Sequence, residues 1–171
     1  MIMRRNGFTL IELVVVMVVV GILSVMTIIL INNSMRAIQL SGAADKLVAD
    51  LRYAQSMAGS NAVWYGISFE VSPADRYMVY TTDGTTDTVV VDPMKKGSNF
   101  IVNVKSSFGV SISAVNIAGG GRIEFNPIGT PYNDKPPSGS AIGADGVITL
   151  SKDASSQTVR ITTNTGRIYS Q

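Results

Sequence analysis

The feature that most constrains this chain is a run of 19 residues, 13 to 31, without one charged side chain, preceded closely by Glu12 and by the basic pair Arg4 and Arg5. About 20 apolar residues in helical form span a bilayer core of about 30 Å, so the run is long enough to be a membrane segment. The two arginines hold its N-terminal end on the cytoplasmic side. A secretory signal peptide has a shorter apolar region, and Asn32-Asn33-Ser34-Met35 is a poor cleavage site for one. A plain signal anchor fits the length but leaves Glu12 unexplained, because a carboxylate near mid-membrane costs about 2.5–3.5 kcal/mol.

Glu12 stands in the stretch Gly7-Phe8-Thr9-Leu10-Ile11-Glu12. This stretch resembles the processing site of type IV pilins and type II secretion pseudopilins. The resemblance implies cleavage by the prepilin peptidase between Gly7 and Phe8, N-methylation of Phe8, and a role for Glu12 in assembly. The electrostatics agree, since cleavage creates an ammonium at Phe8, and Glu12 offers a carboxylate one turn on or to a neighbouring subunit.

Composition limits the remaining chemistry. There is no cysteine and no histidine, which removes disulfides, thiolate and imidazole metal sites, and Ser-His or Cys-His catalysis. No cofactor, metal site or enzymatic activity is expected. The formal charge of +2 invites a polyanion partner, but removing residues 1–7 leaves 12 basic against 12 acidic side chains, and that argument vanishes.

Beyond Ile31 a helical stripe resumes with Leu40, Ala44, Leu47, Leu51, Ala54 and Ala58, and Gly59-Ser60-Asn61 is the expected stop. The expected divisions are a leader (1–7), the membrane and assembly half of the helix (8–31), its amphipathic half (32–59) and a β-rich domain (60–171). After Ala62 the period becomes two: Val63, Tyr65, Ile67, Phe69 and Val71 alternate with Trp64, Gly66, Ser68 and Glu70, and a turn leads to 76–81. Further strands are expected at 88–91, 100–104, 110–113, 122–125, 147–150, 159–163 and 167–169. The Pro- and Gly-rich residues 126–146 read as a long loop, functional or mobile. The expected fold is α+β, with antiparallel sheet or a β-sandwich packed on the second half of the long helix.

Ala44 to Ala58 resembles the helix of the GspH/FimT family of minor pseudopilins. So do Ile123-Glu124-Phe125-Asn126-Pro127-Ile128-Gly129, Gly146 to Leu150, Val159-Arg160-Ile161 and Thr165-Gly166-Arg167-Ile168, taken in that order. The resemblance implies an assembly subunit of the inner membrane with its β domain in the periplasm. Its implied partners are other pilins or pseudopilins, met through the N-terminal helix, the prepilin peptidase and the inner-membrane assembly platform. The work would come from a separate ATPase, as this chain has no Gly-Lys-Ser/Thr phosphate loop. The leading system is the type II secretion pseudopilus, and the alternative is a type IV pilus, with DNA uptake as one of its roles.

DNA-binding FimT-like members carry a C-terminal Gly-Arg-x-Arg, whereas this chain has Gly166-Arg167-Ile168-Tyr169. Arg160, Arg167 and Lys152 are the candidate contacts, but residues 32–171 carry only one excess positive charge, which argues against nucleic acid as a partner. Asp83, Asp87 and Asp92 lack calcium-loop spacing and read as turn residues. Gly119-Gly120-Gly121 reads as a turn, and Trp64, Tyr65, Tyr77 and Tyr80 as core or cross-strand residues.

Overall fold

The computed structural model describes residues 9–171, apart from the side chains of residues 26–33. One α-helix, α1, runs Leu10–Asn61. By its contacts the chain divides between Ala37 and Ile38 into two units, each described by itself below.

In the unit that begins at Ile38, the predicted stripe is the buried face of α1: Leu40, Ala44, Leu47, Leu51, Ala54 and Ala58 all belong to the core. The three alanines bring the helix close to the sheet, while Leu47 and Leu51 fill the space between. The helix runs through Gly59 and Ser60. It ends where Ala62 takes a left-handed φ of 54°, a conformation that stops helical hydrogen bonding.

The strands are β1 (Trp64–Glu70), β2 (Arg76–Thr82), β3 (Asp87–Val89) and β4 (Ile101–Asn103), followed after a short helix by β5 (Ser111–Asn116), β6 (Arg122–Phe125), β7 (Pro131–Tyr132), β8 (Gly146–Lys152), β9 (Ser155–Ile161) and β10 (Ile168–Ser170). They form two antiparallel sheets, β3-β2-β1-β6-β7 with β4 also on β2, and β10-β9-β8-β5. Tyr65, Ile67 and Phe69 of β1 stand opposite Thr81, Val79 and Tyr77 of β2. Together with Ile123 and Phe125 of β6, the apolar residues of that face join Ile112, Ile148, Leu150, Val159, Ile161 and Ile168 of the second sheet in one core with α1. The expected α+β architecture is the one observed.

Four local expectations are corrected. Val63 and Val71 lie outside β1 and are exposed, because the ladder with β2 ends at Trp64 and Glu70. The strand expected at 100–104 gives way at Val104 to a one-turn helix, α2 (Val104–Phe108). There the Asn103 side chain accepts from the Ser106 N–H, and Gly109, at φ 66°, caps the end. The strand expected at 88–91 ends at Val89, and Val91 makes only a single bridge to Asn99. The strands expected at 147–150 and 159–163 form a β8–β9 hairpin whose ladder runs from Gly146↔Ile161 to Lys152↔Ser155. Its outer half is polar, so alternation of apolar residues did not reveal it.

The 126–146 segment is held in place at several points. The Asn126 side chain accepts from the Ile128 and Thr130 N–H groups, Pro131–Tyr132 adds β7 beside β6, and the Ile142 N–H donates to the Pro131 carbonyl. Proline and glycine here shape tight turns and an edge strand.

Candidate assembly segment

Of the expected processing residues, Gly7 and Phe8 lie outside the described residues. Glu12 is in the first turn of α1, and its backbone N–H donates to Thr9 Oγ1 at 3.3 Å. Thr9-Leu10-Ile11-Glu12 has the spacing of a helix capping box, in which a Thr oxygen satisfies an orphan N–H three residues on. The sequence signal was present in those four residues and was overshadowed by the charge of Glu12. A carboxylate in the first turn is also favoured by the helix dipole. Among the described residues the Glu12 carboxylate makes no ion pair.

From Leu10 to Val25 every large apolar side chain is exposed, Leu10 at 82% and Val14, the least, at 45%. This stretch of helix is apolar all round and exposed along its length among the described residues. Such a surface needs lipid or other helices. Its one hydroxyl in that stretch, Ser24, donates back to the Val20 carbonyl at 2.7 Å, which spares it a polar partner outside the helix. Among the described residues no helix is long and apolar enough to cross a membrane. The described apolar stretch stops at Val25, and the remainder of the run falls on residues 26–31, whose side chains are outside the description.

Two of the separated motifs in the β unit, 123–129 and 165–168, converge on α1. Gln55 Nε2 donates to the carbonyls of Gly129 and Gly166, at 2.9 and 3.1 Å, and Arg52 Nη2 donates to the Ile168 carbonyl at 2.7 Å. Gly129 and Gly166 both have positive φ, 88° and 60°. No pattern in the sequence singled out Gln55.

The candidate DNA contacts are only partly brought together. Arg160 of β9 stands opposite Tyr169 of β10, and the Arg167 guanidinium lies 5.4 Å from the Tyr169 ring centroid. Lys152 ends β8 at the far end of the hairpin from the Val147↔Arg160 pair. Arg160 is half-buried, with its Nε out of contact with water.

The acidic trio has separate tasks. Asp83 accepts from the Thr85 hydroxyl and from the Thr85 and Thr86 N–H groups, and these bonds hold its carboxyl down to about 2, the Thr85 hydroxyl first. Asp87 pairs with Arg122 at 3.2 Å, and Asp92 accepts from the Met94 N–H. Gly120 closes a turn onto the Ile117 carbonyl. Tyr65, Tyr77 and Tyr80 are buried, as expected of core and cross-strand residues.

A buried polar row crosses the face of the first sheet opposite α1. Gly66 of β1 is flanked by Tyr80 of β2 and Glu124 of β6, and the Tyr80 hydroxyl donates to Glu124 Oε1 at 2.7 Å. Glu124 is fully buried and its Oε2 has no partner among the described residues. Burial pushes its carboxyl above the usual range.

A long N-terminal helix followed by antiparallel sheet packed on its second half is the architecture of the pilin-like α+β proteins. Residues 2–28 match the prokaryotic N-terminal methylation motif. The minor pseudopilin EpsH from the type 2 secretion system of Vibrio cholerae has the same fold, with a TM-score of 0.56 at 10% identity over 78% of this chain and 96% of that one. The type IV minor pilin FimU of Pseudomonas aeruginosa aligns with a TM-score of 0.48 at 17% identity, over 77% of this chain and 92% of that one. No curated protein matches in sequence. The N-terminal residues thus carry the methylation motif, and the chain has the pilin-like α+β fold.

Proposed function

We propose that the chain is a minor pseudopilin, a structural subunit of a type II secretion pseudopilus with a role in initiation or at the tip. It is cut between Gly7 and Phe8 by prepilin peptidase and N-methylated at Phe8. The observation that carries this reading is the helix from Leu10 to Val25, apolar all round, exposed along its length and bearing one carboxylate, Glu12, in its first turn. A free chain has no use for such a surface, whereas a bundle of like helices buries it. Before assembly the segment spans the inner membrane through residue 31, N-terminus cytoplasmic, with the β domain periplasmic. After assembly Glu12 pairs with the Phe8 ammonium of its own or a neighbouring subunit, so a buried charge becomes a reason to associate. The match to the methylation motif and the fold shared with EpsH support this reading.

The test is maturation and incorporation in cells. Replacing Gly7 with leucine leaves an uncleaved precursor, and normal maturation would remove the peptidase from the account. Glu12→Val keeps membrane insertion, since it removes a costly charge, and loses incorporation into the fibre.

A second reading, a FimT-like minor pilin acting in pilus biogenesis or DNA uptake, is favoured by one observation: Arg160 and Arg167 both adjoin Tyr169. It predicts salt-dependent binding of duplex DNA that Arg167→Ala weakens. Absence of any shift at low salt removes it. Secretion genes beside this one would favour the first reading, and competence genes the second.

A further inference from the structure

The β4 strand has one free edge. The Val79 N–H donates to the Phe100 carbonyl and the Val104 N–H to the Asp75 carbonyl, with Val102 opposite Tyr77 between them. Antiparallel ladders alternate, so Val102 faces β2 while the backbone groups of Ile101 and Asn103 face away from it. The Ile101 N–H is taken by the Asn99 carbonyl and the Asn103 carbonyl by the Ser106 hydroxyl. Among the described residues this leaves the Ile101 carbonyl as acceptor and the Asn103 N–H as donor on the outer edge.

That edge opens onto a groove of about 350 Å³, lined by β4 itself with Met94, Lys95, Phe108 and Lys46. The volume is in the range of ligand pockets. The apolar part is presented to solvent, Met94 being 85% and Ile101 41% exposed. The charges around it are unequal. Asp92 is buried and accepts from the Met94 N–H, and Lys46 is held by Asp50, but Lys95 and its neighbour Lys96 are exposed with no ion pair among the described residues.

We propose that this groove docks an extended, acidic segment of a neighbouring subunit, added to β4 as a further strand. Backbone bonds to Ile101 and Asn103 would give the register, Met94 and Ile101 would cover an apolar side chain, and Lys95 and Lys96 would select a carboxylate. A second copy's own β4 edge is not the occupant, because Ile101-Val102-Asn103 offers no carboxylate for Lys95 and Lys96 to select. That the donor is a co-assembling subunit rests on the pilin-like reading above, whereas the chemistry of the groove does not.

The experiment uses the full chain in detergent micelles and a fluorophore-labelled, end-capped heptapeptide of alternating valine and glutamate, read by anisotropy. Expected is saturable binding, at least tenfold weaker when alternate peptide nitrogens are methylated, when lysine replaces glutamate, and with Lys95→Glu in the protein. No binding at millimolar peptide, or equal binding of the N-methylated or lysine peptide, overturns the proposal. Retained affinity with Lys95→Glu overturns the acidic selectivity. None of these outcomes bears on maturation at Gly7 or incorporation through Glu12, which are scored separately in cells with the groove intact.

Discussion

The side-chain amide of Gln55 and the backbone of Gly166 are fitted to each other: Nε2 donates to the Gly166 carbonyl at 3.1 Å, and a Cβ at position 166 would come within 2.5 Å of that nitrogen and 2.7 Å of the Gly129 carbonyl. Gly166 also holds φ at 60°, where alanine is strained. Gly166→Ala is therefore expected to cost about 2–3 kcal/mol, combining strain with a lost polar contact. Urea unfolding of the full chain in detergent, followed by the single tryptophan, Trp64, measures it. Gln55→Ala combined with Gly166→Ala should cost less than the sum of the two. Strict additivity would mean the amide clamp is not what the glycine serves.

Glu124 makes stability depend on pH in the direction opposite to most carboxylates. Its folded pKa lies above the ordinary 4.5 because burial penalises the charge. The folded state then binds the proton more tightly than the unfolded one. The contribution is fully present below about pH 4.5 and is lost as pH rises through the folded value. Glu124→Gln keeps an acceptor for the Tyr80 hydroxyl and carries no charge. The variant should gain on the wild type in denaturant midpoint as pH rises from 4.5 toward 8, and the two should converge at acid pH. A constant difference across that range would show that Glu124 does not titrate differently on folding.

Asp50 is a buried carboxylate held by two partners, the Tyr77 hydroxyl at 2.6 Å and Lys46. The hydroxyl is the partner inside the core, and burial beside Asp50 pushes its own pKa up. Tyr77→Phe keeps the ring packing and leaves Asp50 one donor short. The expected loss is about 1–3 kcal/mol. Asp50→Asn in the Tyr77→Phe background should recover part of it, since an amide is cheaper to bury than an unsatisfied carboxylate. Failure of that recovery would put the cost in packing instead.

What the sequence displayed was whatever leaves a period. Leu40 to Ala58 recur at helical spacing and Tyr65, Ile67 and Phe69 at strand spacing, and both sets became the core. The Ser155–Gln157 half of β9 was hidden because its own three residues, Ser155, Ser156 and Gln157, are polar and leave no apolar alternation, while the backbone ladder to β8 pairs them. The α2 turn was hidden because Asn103 and Gly109, its cap residues, flank too few residues for any stripe. Gln55 was hidden for a different reason. Its partners are the carbonyls of residues 74 and 111 positions away, and a carbonyl has no letter of its own. Glu12 stood out as a lone charge before an apolar run, while Thr9, three residues earlier, was passed over because its contribution is one hydrogen bond.

Thr9 and Glu12 can be separated experimentally, because the two roles of Glu12 make different demands. As a capping residue it needs only its N–H bonded to Thr9 Oγ1 and a polar side chain, a demand glutamine meets as well as glutamate. As a partner for the Phe8 ammonium it needs a negative charge. Thr9→Val removes the cap acceptor and keeps the charge, at a cost of about 1 kcal/mol in the first turn. Glu12→Gln keeps the capping geometry and removes the charge. On the assembly reading Thr9→Val is incorporated into the fibre at close to the wild-type level, and Glu12→Gln is as defective as Glu12→Val, with both inserted in the membrane and cleaved. The measurement is the fraction of mature subunit recovered in sheared fibres against the fraction left in the membrane. The reverse pattern, with Thr9→Val defective and Glu12→Gln normal, would make Glu12 a helix-capping residue and assign the recruiting charge elsewhere.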